Sequence, residues 1–351
     1  AIRVLTLDAV AAANSGHSGM PIGMADVATI LFEKHLKFST AQPNWPDRDR
    51  FILSAGHGSM LLYSVAYLCG YADFDIDQLK NFRQLGKKTA GHPENFLSDV
   101  IETTTGPLGQ GIANSVGFAI AEESLRARFG RNIIDHHTFV IAGDGCLMEG
   151  VSQEAISLAG HLRLHKLIVF WDNNNITIDG TVDLTDSTDQ KTRFEASGWE
   201  VIEIDGHDPE EIDSAISAAK KSEKPTMIAC KTHIAIGTAA QDTSKGHGAL
   251  TDPELIKNAR EVYQWSHKPF DIPKSIKEQW EQAGLEGHKA FKRWQSNLEN
   301  LSNSKRKEFE RIFSGDAPKK LTSAILKFKK ESSAASPTIA TRKSSELTLN
   351  A

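Results

Sequence analysis

One carboxylate, Asp144, stands between Gly143 and Gly145 where the apolar run "TFVIA" stops, and one βαβ unit later Asn174 stands in "DNNNI" after a second apolar run, "KLIVFW". In an open parallel sheet, loops and helix N-termini converge outside the carboxyl ends of the strands, so two such oxygens can meet at one edge. A single carboxylate joined by amide and backbone oxygens, with the other positions left to phosphate and water, is the ligand set Mg²⁺ favours. Gly143 and Gly145 would let a phosphate approach the backbone closely, and the Gly145 N–H would be a donor. Each motif taken alone also reads as a turn, because Gly, Asp and Asn are what turns use. The pair, at this spacing and after two apolar strands, points to a metal and phosphate site.

Histidine is the second source of chemistry, and the chain has 13 of them. His17 in "SGHSG", His57 in "GHGS", His92 in "GHP" and His247 in "GHGA" each sit beside glycine in a loop, where a side chain is presented rather than packed. His136, His137, His161, His165, His267 and His288 read instead as surface or helix residues without a role.

The elements that must position these groups follow from periodicity. Residues 1–14 and 22–37 read as helices, the second with Pro21 near its first turn and Ile22, Ala25, Ala28, Leu31 and Phe32 at helical spacing. "RFILSAGHGS" reads as a strand ending in glycines, "MLLYSVAYLCG" as a helix ending at Gly70, and "TTTGPLGQGIANSVGFAIAEESLRARFG" as a Gly-rich loop feeding a long helix. Strands over 138–142, 166–171, 199–204 and 226–232 alternate with helices over 151–164 and 209–221. That alternation predicts an α/β fold, a parallel sheet with helices on both faces. A helical C-terminal extension follows: 274–314 is charged and periodic, with Trp280, Phe291, Trp294, Leu298, Phe309 and Phe313 as inward anchors. A polar helix is expected over 316–330 and a Ser-rich linker over 331–337.

Composition bounds the function. With 351 residues, 40% hydrophobic and 24% charged, the chain can bury one large core or two modest ones. The net charge of −5, with Lys and Arg scattered among Asp and Glu, argues against a nucleic-acid partner. No run approaches the roughly 20 apolar residues of a spanning helix, and Asp8 interrupts the apolar N-terminal stretch, unlike a signal peptide. A cytoplasmic location away from membranes is the expectation. Cys69, Cys146 and Cys230, odd in number and far apart, are expected to be reduced.

Taken together, "GDG" and the later "NN" resemble the thiamine diphosphate signature, and "GDGCLMEGVSQEAISLAG" with "DNNNITIDG" looks like its transketolase version. "SGHSGMPIGMAD", "DRDRFILSAGHGSMLLY", "LKNFRQLGKKTAGHPE", "ETTTGPLGQGIANSVGFAIAE" and "RFEASGWEVIEIDGHD" agree, in the family's order, from residue 1 to at least 270. The resemblance implies a diphosphate-binding domain over 1–314, a helix and linker over 315–337, and over 338–351 the start of a pyrimidine-binding domain. It implies thiamine diphosphate and Mg²⁺, with Ca²⁺ or Mn²⁺ as substitutes, and a metal held by Asp144, Asn174 and the Ile176 carbonyl. Gly145 would contact the diphosphate, as would His57 and His247. Gly106, Pro107 and Leu108 would bracket the rings. His17 and His92, the implied catalytic histidines, would line the substrate channel with His247, and Arg342 would meet a substrate phosphate. Imidazole suits sugar phosphates because it can donate, accept or shuttle a proton near neutral pH.

The activity implied is transfer of a two-carbon ketol unit from xylulose 5-phosphate to an aldose phosphate in the pentose phosphate pathway, by a homodimer. Relatives in this family are nearly twice as long, and the Glu that activates the aminopyrimidine comes from their second domain. By itself the present chain is expected to be inactive. Asn173 and Asn175 stand where the family has Asp and Gly, and "HIAIGTAAQDTSKGHGALTD" lacks the usual "HGAPLG" pattern. Two other readings stay open: half of a split enzyme, or a related thiamine diphosphate enzyme such as dihydroxyacetone synthase or 1-deoxyxylulose-5-phosphate synthase.

Overall fold

A computed structural model describes residues 1–351, which form two compact units, Ala1–Asn297 and Leu298–Ala351. The first holds a five-stranded, all-parallel sheet: β1 (Arg50–Leu53), β2 (Thr138–Gly143), β3 (Leu167–Asn173), β4 (Glu200–Asp205) and β5 (Thr226–Lys231), in the order β1-β2-β3-β5-β4. The central strands are continuous apolar runs because helices cover both of their faces; Phe139, Val140, Ile141, Leu167, Ile168, Val169 and Phe170 are all fully buried. β4, at one edge, reads differently: Glu200, Glu203 and Asp205 are exposed while Ile204 is buried.

The helix Met60–Cys69 is buried nearly all round, as its unbroken apolar composition requires, and ends at Gly70 in the left-handed region (φ 86°). Gln110–Phe129 packs its Ile112, Val116 and Ala119 face into the core. The single helix expected over 22–37 is three pieces: Gly19–Gly23, Ala25–Ile30 and a wide π-type turn, Leu31–His35. Periodicity finds the apolar face, but the break at Met24 comes from a neighbour, since a Cβ on Gly23 would touch the His233 carbonyl. Of the anchors expected in the first unit, Trp280 and Trp294 are buried on the helix Lys274–Glu299. The second unit contains the helices Asn303–Phe313, Leu321–Ala335 and Thr341–Leu349; Phe309 is buried there, whereas Phe313 is exposed. The Ser-rich stretch expected as linker continues its helix to Ala335, because Ser and Ala tolerate a helix that nothing interrupts before Pro337. No helix is long and apolar enough to cross a membrane. All three cysteines are free and buried.

Candidate active site

The carboxyl ends of β1, β2 and β3 open onto a cavity of about 310 Å³. The register explains the convergence: Gly143 pairs with Asp172, so Asp144 and Asn174 leave adjacent strands at the same edge. Asp144 and Gly145 line the cavity beside Asn174 and Ile176, and His17, His57, His92, His247, Gly106 and Leu108 line it as well. Pro107 is exposed and is not among the lining residues, while Arg342 lies on an exposed helix of the second unit. A wider, open groove of about 940 Å³ runs beside the helix Pro253–Val262, but its buried carboxylate, Asp8, is already held by Arg260 and the Phe270 amide.

On the acidic wall, Asp144 is 8% exposed and accepts from Trp171 Nε1 at 3.0 Å. Burial pushes its carboxyl up to about 6, against the Trp171 hydrogen bond. Asp172, fully buried, is pushed up to about 7 by burial and further by the Asp144 charge, against hydrogen bonds from the Thr232 hydroxyl and Asn174 Nδ2 (2.9 Å). With its nitrogen engaged by Asp172, Asn174 presents its oxygen, which accepts the Ile176 N–H at 2.9 Å and keeps a second lone pair. Asn175 takes a left-handed conformation (φ 62°), one that Gly adopts freely and Asn tolerates. A Cβ on Gly145 would come within 2.9 Å of Leu108, and one on Gly143 would meet open space.

The histidine wall is built by hydrogen bonds to loop backbones. Tyr63 OH donates to the Ala90 and His92 carbonyls (2.9 and 3.2 Å), and Thr105 Oγ1 ties the "GPL" loop to the end of β1 through the Leu53 carbonyl at 2.8 Å. Gly106 adopts φ 142°, and a Cβ there would lie 3.0–3.2 Å from the His92 side chain. The His57 and His247 rings stack at 5.0 Å, with His17 edge-on to both at 5.1 and 5.6 Å. Burial, aided by neighbouring imidazoles, holds His17 down to about 4 and His57 to about 3, and burial lowers His92 and His247 as well. These rings are neutral at pH 7, each with one donor and one acceptor nitrogen. Nδ1 of His17 and of His247 are buried without a hydrogen-bond partner in the protein. His136, expected at the surface, is instead buried before β2 with Asp47 3.5 Å away, and so belongs to the scaffold.

This donor set fits a hard cation and an anion. One carboxylate and one amide oxygen are poised where a positive charge would relieve two buried carboxyls, and two of the histidines that line the same cavity, His17 and His247, each keep a buried Nδ1 with no hydrogen-bond partner. Asp172, Trp171 and Thr232 are the supporting residues that spacing did not single out. Asp172 was visible within "DNNN", but Thr232 directly follows β5, whose place beside β3 has no signature in the sequence.

The family profile described as "Transketolase, thiamine diphosphate binding domain" matches residues 1–318. The chain is 57% identical over 352 aligned residues to a transketolase of Rhodobacter capsulatus, covering 100% of this chain and 52% of that protein. Among solved structures it is similar to the transketolase from Leishmania mexicana (TM-score 0.92, 40% identity, covering 99% of this chain and 52% of that one). It is likewise similar to a Pichia stipitis transketolase mutant in complex with xylulose 5-phosphate (TM-score 0.89, 40% identity, 92% and 49%). The chain spans about half the length of the curated relatives it matches. With this parallel sheet and this cavity at its carboxyl edge, the chain belongs to the transketolase family, in its thiamine diphosphate-binding domain.

Proposed function

We propose that this chain is the diphosphate- and metal-binding part of a transketolase, which moves a two-carbon ketol unit from xylulose 5-phosphate to an aldose phosphate in the pentose phosphate pathway. The cofactor, when bound, supplies the carbon nucleophile of that transfer. Asp144, Asn174 and the Ile176 carbonyl would hold Mg²⁺, with Ca²⁺ or Mn²⁺ as substitutes. The Gly145 N–H, His57 and His247 would take the diphosphate oxygens, and the Gly106-Pro107-Leu108 loop would bracket the rings through Gly106 and Leu108, which line the cavity, with the exposed Pro107 between them. His17 and His92 would orient sugar hydroxyls and move protons, a task open to neutral imidazoles because each can donate from one nitrogen and accept at the other. Arg342 would meet a substrate phosphate. The complete enzyme would act as a cytoplasmic homodimer, with no nucleic-acid or membrane partner.

The observation that carries this reading is the pairing of walls: Asp144, Gly145, Asn174 and Ile176 line one cavity with four histidines, His17, His57, His92 and His247. The test is a melting experiment on the chain with thiamine diphosphate and Mg²⁺, added singly and together. Stabilisation by the pair well beyond the sum of the two is expected, and equal effects singly and together would sink the binding claim. The activity claim is checked on a product extended to its relatives' full length: no turnover of xylulose 5-phosphate with ribose 5-phosphate would remove it.

A further inference from the structure

The segment 232–250 delivers Ile234 and His247 to the cavity with only one short helix, Ser244–His247, of its own. One side of it is docked on the backbone around Gly19. The Ala235 N–H donates to the Gly19 carbonyl at 3.2 Å, the Ser18 N–H to the Gly248 carbonyl at 2.9 Å, and the Leu250 N–H to the Ser18 hydroxyl at 3.2 Å. The contact is close enough that a Cβ on Gly19 would lie 2.3 Å from the Gly246 oxygen.

The start of the segment is held at two successive residues, Thr232 by its hydroxyl on Asp172 and His233 by the side chain of His207, in the loop after β4. Its Nε2 accepts the His233 N–H at 3.0 Å, so that nitrogen carries the lone pair. The ring hydrogen is therefore on Nδ1, which lies 2.8 Å from Asp26 Oδ2 on the helix Ala25–Ile30. Asp26 is itself fixed by Arg3 Nη2 at 2.5 Å, and Arg3 Nε donates to the Ile22 carbonyl at 3.1 Å. The rings of His207 and His233 lie parallel, 5.8 Å apart at 8°. His233 Nδ1 is 2.8 Å from Asp242, whose N–H donates to the Ile234 carbonyl at 3.2 Å, so the constraint passes on into the turn that leads to His247.

We infer that His207, locked by Asp26 as its Nδ1–H tautomer, is a positioning residue: it fixes the backbone at His233 and through it sets His247 against His57. Only this tautomer can donate to Asp26 and accept from His233 at once. The role concerns how the cavity is built and stands whichever ligand fills it.

Histidine-selective ¹⁵N labelling of the 351-residue chain, with long-range ¹H–¹⁵N correlation at neutral pH, reads the tautomer directly. A bare Nε2 and a protonated Nδ1 on His207 are expected, and a protonated Nε2 overturns the inference, even where no variant folds. His207→Asn keeps a donor near Asp26 but offers no acceptor at the reach of Nε2, whereas His207→Gln restores one there. In His207→Asn the ring signals of His247 and His57 should shift while His161, outside the cavity, stays in place, and His207→Gln should bring them back toward the parent spectrum. Unmoved His247 and His57 signals in a folded His207→Asn chain would likewise overturn it.

Discussion

Asp144 shows how one buried carboxylate couples stability to ligand. Its carboxyl is pushed up to about 6 from an ordinary value of 3.8, so the folded chain holds that proton more tightly than the unfolded chain does. The stabilisation is present below pH 3.8 and is lost as pH rises through about 6, a cost on the order of 3 kcal/mol at neutrality. Without metal, Asp144→Asn should thus melt higher than the parent at pH 7 and nearly level with it at pH 4; the two melting curves across that window check it. With Mg²⁺ and thiamine diphosphate the order should reverse, since the variant lacks the charge the cation needs. His17 and His57 act with the opposite sign. Held at about 4 and 3, they bind protons more weakly when folded, so stability falls as pH drops from about 6.5 toward those values. Urea midpoints of a His17→Gln, His57→Gln double variant should be flatter over that range. Of these groups, the sequence announces those that leave strands or loops beside glycine. It does not reveal what holds Asp172 and His207, whose partners Thr232, His233 and Asp26 come from the segment after β5 and from the helix Ala25–Ile30.

Strands and loops divide the work between core and cavity. Phe170 sits at the middle of β3, fully buried, stacked on Phe139 at 6.3 Å. Phe170→Ala should cost roughly 3 to 5 kcal/mol of unfolding free energy, measured by chemical denaturation, with the cavity lost only where the fold is. Gly106 is the converse case. An Ala there would adopt a φ of 142° that L-residues rarely reach and would press on His92, for a cost of about 2 kcal/mol. The same denaturation series should show that smaller loss, together with displaced His92 signals. The strands were legible because their apolar runs are unbroken and long enough to be counted. The break at Met24 was not, because it lies where Gly23 meets the backbone of His233, more than 200 residues along the chain, and the wide turn Leu31–His35 has no mark in the periodicity.

For the molecule entire, the cavity is lined by this chain, yet the chain spans about half the length of its relatives. A product extended to their full length should bind thiamine diphosphate with Mg²⁺ at least tenfold more tightly, on the order of 1.4 kcal/mol or more, as read by titration calorimetry. Equal affinity would mean that the first half suffices for binding. The sheet's outer strand carries a different consequence. β4 leaves one rim of backbone donors and acceptors unpaired within the sheet, and Glu200, Glu203 and Asp205 stand along it. Two such rims brought together would set these acids against one another, which disfavours a second molecule extending the sheet in register. Replacing the three acids with valine should therefore raise edge-to-edge association during refolding, read as increased light scattering against the parent chain.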